Sequence, residues 1–320
     1  MAPEFRLLRI RGPLASVGAM SAMMWVSGLT CAEAARSVDQ KLCREITQGY
    51  EQIKAGANTL QVNRVLFSAT RRGCEDLAKR LLADGASLQA RDRSGAMPLS
   101  RAAEEGWIAL VALFLDRGAP INARDVYGST ALFRAAEADR LNIVRMLLDR
   151  GADVHIRGRK GNTVLAAAAY MGTPEMVKVL LNVGADPMPI DQFGKSPMSY
   201  AAGRGFTEVV RVLLNGGVDV NARYGNGLTA LMWAAGHSAD AGYLDAIEVM
   251  ELLVSRGARI DDRDDRGRTA LMMAAELGHD EVVEALLGHG ADPSLVDNEG
   301  KSASELASSD TLRERLARSN

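Results

Sequence analysis

The residues in this chain best able to carry nucleophilic, acid–base or metal chemistry are few and scattered. Histidine is the commonest general base and a frequent zinc ligand, and the chain has four: His155, His237, His279 and His289. No two of them stand at metal-ligand spacing. The serines near them lack the strand–turn–helix setting of a nucleophile elbow. The densest acidic cluster is Asp261, Asp262, Asp264 and Asp265. Its spacing is not that of a calcium loop, and Arg263, Arg266 and Arg268 are interleaved with it, so it reads as a solvated turn. The glycines recur at fixed intervals and do not gather into a phosphate-binding loop. No catalytic residue, cofactor or metal is therefore expected.

The glycine spacing exposes the organisation of the chain. DRSGAMPLSRAAEEG begins at Asp92, DVYGSTALFRAAEAD at Asp125, GRKGNTVLAAAAYMG at Gly158 and DQFGKSPMSYAAGRG at Asp191. YGNGLTALMWAAGHS begins at Tyr224 and DDRGRTALMMAAELG at Asp264. The period is 33 residues, apart from one step of 40. Each glycine at the turn tip, such as Gly95 or Gly194, fits a backbone with positive φ. Two residues later comes Thr130, Thr163, Ser196, Thr229, Thr269 or Ser302, a hydroxyl placed to cap a helix. Pro98 and Pro197 suit a first helical position. Paired alanines make a thin first helix, and runs such as Val209, Val210 and Leu213 make an apolar second helix. Thr173-Pro174 is expected to cap one second helix, and glycines such as Gly184 to end these helices.

This pattern resembles the ankyrin repeat, a turn plus two antiparallel helices per unit. The resemblance implies an all-α ankyrin-repeat solenoid with helical caps at both ends. Six repeats are expected over 92–296, divided as 92–124, 125–157, 158–190, 191–223, 224–263 and 264–296. A degenerate repeat over 59–91 precedes them, after an N-terminal capping helix over 35–58. A partial repeat over 297–320 closes the array. The fifth repeat carries a seven-residue insertion near residues 237–245. One departure stands out. The family's usual Thr-Pro-Leu-His has no His here, its place being taken by Ser100, Phe133, Ala166, Ser199, Met232 and Met272. The Thr–His hydrogen bonds that the resemblance implies are expected to be lost, with apolar packing replacing part of them.

The resemblance also implies a function. Such arrays bind proteins through a concave face lined by turn tips and first helices, so a non-catalytic protein-binding scaffold is expected, monomeric by itself. On that face the sequence places Tyr127, Arg134, Tyr170, Phe193, Tyr200, Arg204 and Trp233 as candidate partner-binding residues. Tyr224 stands at another turn tip. Aromatics are only 5% of the chain, and Tyr, Trp and Arg are enriched among binding hot spots. Phe133 reads instead as packing between repeats.

The first 34 residues differ from the rest. Arg6, Arg9 and Arg11 precede an uncharged stretch over 13–30, and Ala32-Glu33-Ala34 offers small residues at a cleavage site. That is the layout of a secretory signal peptide, cut after Ala34. An uncleaved anchor is the alternative, although the stretch is short for a span and carries several Ser and Gly. A lipid attachment through Cys31 fits less well. The expected compartment is the periplasm or the medium, with a bacterial source. The alternative is a secreted effector that binds host proteins. Removing the leader leaves a net charge of −3, which gives no footprint for nucleic acid or for a membrane surface. It also leaves two cysteines, Cys43 and Cys74. In an oxidising compartment they are expected to form a disulfide, two separate thiols being the alternative. The capping helix is expected to start at Ser37, with Gln40 completing a capping box, and to set Leu42, Ile46, Tyr50 and Ile53 on one face.

Overall fold

The computed structural model describes residues 31–236 and 242–318, with side chains from residue 40 onward except at 159. The proposed leader therefore lies almost wholly outside the described residues, as do His237 and the tip of the insertion. The described chain is helix and turn with short links, and one isolated antiparallel bridge joins Val296 to Ser302. Helix α1, Cys31–Ile53, is followed by the pair α2, Thr59–Arg72, and α3, Glu75–Ala83. Five further pairs follow: α4 Pro98–Glu105 with α5 Ile108–Asp116, α6 Ala131–Glu137 with α7 Leu141–Asp149, α8 Val164–Met171 with α9 Pro174–Asn182, α10 Pro197–Gly203 with α11 Thr207–Asn215, and α12 Ala230–Ala235 with α13 Tyr243–Ser255. The last two pairs are α14 Ala270–Leu277 with α15 Asp280–Gly288, and α16 Ala303–Leu306 with α17 Asp310–Arg318. Among these residues no helix is long and apolar enough to cross a membrane.

The helix starts follow from local chemistry. Thr130, Thr163, Ser196, Thr229, Thr269 and Ser302 each sit at the N-cap and accept a hydrogen bond from the backbone N–H three residues on. Each such cap stabilises by about 1 kcal/mol. The lost histidine is partly replaced in kind. Ser199 stands where the family has His, and it completes a reciprocal capping box with Ser196. Met232 does the same more weakly, its Sδ lying 3.4 Å from the Thr229 amide. Two expectations are corrected. Thr173 does not cap α9 with its side chain; its hydroxyl donates instead to Asp139 at 2.9 Å, one repeat earlier. Ser37 is not an N-cap, because the helical backbone already begins at Cys31.

The core is a continuous stack. Ala102, Ala103, Ala201 and Ala202 are fully buried, which lets neighbouring first helices approach closely. Val209, Val210, Leu213 and Phe114 are buried from the second helices. Phe133 is buried too, in the packing role the sequence suggests. On α1, Tyr50 is buried but Ile53 is 42% exposed, so the apolar face ends at Tyr50. The turns are linked from repeat to repeat by backbone hydrogen bonds: Val126 N–H to Ser94 O at 3.1 Å, Gln192 N–H to Lys160 O at 2.8 Å, Gly225 N–H to Gly194 O at 3.0 Å. That last approach demands glycine. Gly194 has φ +73°, and a Cβ there would fall 2.7 Å from Gly225 Cα.

Candidate functional site

The turn tips and first helices share one face, and each turn is held by an aspartate. Asp92, Asp125, Asp191, Asp264 and Asp297 stand at the same place in successive units. One carboxylate oxygen of each accepts hydrogen bonds from the amides two and four residues on, for example Tyr127 N–H at 2.8 Å and Ser129 N–H at 2.9 Å for Asp125. The other oxygen reaches toward a side chain. Arg101 Nε donates to Asp92 at 2.6 Å, Arg134 to Asp125 at 2.5 and 3.1 Å, and the Tyr200 hydroxyl to Asp191 at 2.5 Å. Each of these donors lies nine residues after its aspartate, on the first helix.

This pairing recasts two of the candidate partner-binding residues. Arg134 and Tyr200 are half-buried and already hold their own turns. Burial pushes the Tyr200 phenol well up, and its hydrogen bond to Asp191 pushes the same way. The role of the aspartates as turn anchors is not among the expectations from the sequence, yet the repeats carry its signal. Where the aspartate is absent, its partner is absent as well: Gly158 goes with Ala167, and Tyr224 with Trp233.

The Asp92 carboxyl shows what this anchoring does to acid stability. Burial acts to raise it, but the Arg101 and Ser94 hydrogen bonds outweigh burial and hold it below its ordinary value. A carboxyl lowered on folding adds stability above the unfolded pKa of about 4, and that stability is lost as pH falls through the folded value. Arg101→Met removes the main partner. The acid-unfolding midpoint, followed by circular dichroism, is expected to move to higher pH in this variant. An unchanged midpoint would mean that the pair contributes nothing.

The remaining candidates gather around the middle units. Phe193 is 59% exposed, Tyr127 46% and Tyr170 45%. The Tyr170 and Tyr200 rings meet edge to face with centroids 5.6 Å apart. Arg204 lies 4.4 Å above the Tyr170 ring and 5.2 Å from that of Phe206. Lys195 lies between Tyr200, at 5.4 Å, and Trp233, at 5.1 Å. Lys160 covers Phe193 at 4.8 Å, and Arg134 lies 5.8 Å from Tyr127. The lysines were not foreseen, because each precedes or follows a glycine at a turn and carries no periodic signal. Tyr224 does not belong to this surface. It is 6% exposed, standing where other units bury their aspartate, and burial pushes its phenol up to about 12.

Two recesses open on the same face. One, of about 450 Å³, lies where Gly158 and Ala167 replace the bulky pair of the other units, and Tyr127, Arg134, Glu137, Lys160 and Asn162 line it. The second, of about 260 Å³, lies between Trp233, Met273 and Leu277. A larger hollow, of about 660 Å³, lies apart from them at the N-terminal cap, beside Trp107 and the disulfide that joins Cys43 to Cys74.

The histidines are dispersed. His279 is the N-cap residue of α15, and its Nδ1 donates to Ala235 O at 2.9 Å, tying two units together. His289 follows the last turn of α15, and His155 is exposed in a link between repeats. Among the described residues no group of three or more His, Cys, Asp or Glu is placed to hold a metal ion.

A family model described as ankyrin repeats, in three copies, matches residues 66–158 and, in overlapping stretches, 164–264, 216–297 and 238–313. A search of curated proteins found no match to the chain. The matched stretches span most of the sequence, and the turn-and-two-helix unit recurs through them; the chain belongs to the ankyrin repeat family.

Proposed function

We propose that this chain is an exported, non-catalytic scaffold that binds a protein partner through the face of turn tips and first helices. Ankyrin repeats are generally binding scaffolds. The observation that carries the reading here is the cluster of Tyr170, Phe193, Tyr200 and Trp233 with cations over their rings, on a chain poor in aromatics. Tyr170 and Phe193 are exposed, with the half-buried Tyr200 and Trp233 beneath the neighbouring cations. Aromatic groups are enriched at binding hot spots, and grouped apolar surface usually marks an interaction site. Export is supported by the leader-like layout of residues 1–34 and by the Cys43–Cys74 disulfide, a bond that persists in oxidising compartments.

Affinity capture from an envelope fraction, with mass spectrometry of what co-purifies, tests the reading. Phe193→Ala with Trp233→Ala is expected to weaken the captured complex at least roughly thirtyfold, since hot-spot truncations cost about 2 kcal/mol or more. Trp233 packs partly on the core, so Phe193→Ala alone, at a mostly solvent-facing position, serves as the fold control: its helical circular dichroism should not change while its binding falls. Undiminished binding by the double variant removes the proposed face, and failure to capture any protein removes the scaffold role. Fractionation that finds the protein in the cytoplasm removes the export claim.

A further inference from the structure

The charges on the binding face are unevenly matched. On α4, Arg101 pairs with Glu104 at 2.6 Å; on α6, Arg134 pairs with Glu137 at 3.1 Å; toward the C-terminus Arg268 pairs with Asp297 at 3.3 Å. The middle units differ. Residues 158–204 carry five Lys and Arg against three Asp and Glu, although the whole chain has a net charge of −2. Of those three acids, Asp191 is buried in its turn, Glu175 lies on the second helix α9, and Asp186 caps a link by accepting from Met188 N–H. None of them meets Lys160 or Lys195 in an ion pair among the described residues. Both ammonium groups instead rest on aromatic rings, Lys160 on Phe193 and Lys195 between Tyr200 and Trp233.

Lys160 is also held in an unusual backbone state. It has φ 72° and ψ 12°, the left-handed region that favours glycine. Strain at a position where glycine would be easier keeps a charged side chain at a turn tip that abuts the recess formed with Tyr127 and Arg134.

We infer that the middle of this face recognises an acidic, extended segment of the partner protein, with one carboxylate on Lys160 and the next on Lys195. The inference rests on the protein-binding reading above and adds the partner's chemistry. Charge complementarity selects the occupant: two cations one repeat apart, each backed by a ring, with matched charges in the two preceding units and again at Arg268 toward the C-terminus. The spacing adds a constraint. Packed helices stand about 8–10 Å apart, and a polyproline-II chain repeats its face every three residues, about 9 Å. The acids of the segment are therefore placed at every third residue, with the side chains between them free to lie on Phe193 and Trp233.

The test uses a short fluorescein-labelled, proline-rich peptide with Glu at every third position, its Gln twin, and single-stranded oligothymidylate of similar length. Anisotropy titrations are run with the wild type, with Lys160→Gly plus Lys195→Gln, and with Lys178→Gln as a control on the exposed part of α9. The Glu peptide is expected to bind the wild type at least about tenfold more tightly than the Gln twin, with an affinity that falls as salt is raised. The double variant is expected to lose that preference and Lys178→Gln to keep it. Lys160→Gly relieves the backbone while deleting the cation, so its melting temperature should hold or rise as binding falls, separating lost recognition from lost folding. Equal binding of the two peptides, no binding of either, or oligothymidylate binding as tightly as the Glu peptide each overturns the inference. If the captured natural partner is lost with Phe193→Ala plus Trp233→Ala but not with the lysine variants, the acidic assignment falls and the binding face stands.

Discussion

Asp125→Ala is expected to destabilise the array by about 3 kcal/mol, the low end of the range for breaking a buried charge pair from one side. The Asp125 side chain is wholly buried, whereas that of Arg134 is one-fifth exposed. Deletion of the carboxylate removes two backbone contacts, Tyr127 N–H at 2.8 Å and Ser129 N–H at 2.9 Å, along with both contacts to Arg134. Glu137 remains within 3.1 Å of Arg134 and offsets part of the loss, which is why the low end applies. Asp125→Asn keeps an acceptor for the amides and is expected to cost about half as much. In a solenoid each unit depends on its neighbours, so the damage is expected to spread to the units beside this one and to blunt the unfolding transition. Urea unfolding followed by circular dichroism measures both. A loss below about 1 kcal/mol would show that the turn holds without its anchor.

The way this anchor is written explains what the sequence disclosed and what it concealed. The solenoid was legible because its signals are local and repeated: a glycine at the tip, a hydroxyl cap, an alanine pair, an apolar second helix. The six expected hydroxyl caps all bond as caps, since capping depends on a residue and the amide three positions on. Thr173 went elsewhere because a partner one repeat away, Asp139, competes for its hydroxyl, and no local rule can see that partner. Tyr224 misled for a related reason. A tyrosine at a turn is ordinarily exposed, but this one is buried at the position where other units place their turn aspartate. The lysines that now define the most specific part of the face were invisible for want of periodicity. Their meaning comes from the rings beneath them, which belong to neighbouring turns and helices.

Loss of the disulfide should have the other large effect, and it should be confined to one end. Cys43 lies on α1 and Cys74 at the start of α3, 31 residues apart in sequence. Closing a loop of that length restricts the unfolded chain by about 3–4 kcal/mol at room temperature on a chain-entropy model. Beyond the disulfide, the cap is held by the buried Tyr50 ring, by the half-buried Ile46 packed on the core and by a few polar contacts. The Tyr50 hydroxyl donates to Asp84 at 2.9 Å, and Lys54 and Arg80 make ion pairs with Asp84 and Glu51 at 2.8 and 3.0 Å. The two ion pairs are largely exposed, so solvent screens them and they hold the cap only weakly. Cys43→Ser with Cys74→Ser, or reduction of the wild type, is therefore expected to release α1 first and to uncover Leu66 and Leu77, which are now buried. Amides of α1 to α3 should exchange faster with solvent water, while those from α6 onward keep their protection, because a terminal unit can open without its distant neighbours. The exposed apolar end should also promote association at high concentration. Equal thermal stability with and without reductant, or faster exchange spread evenly along the array, would show that the clasp does not secure the cap. If it does, a reducing compartment would leave the scaffold open at its N-terminal end, and the proposed export would be a condition for its stability as well as its location.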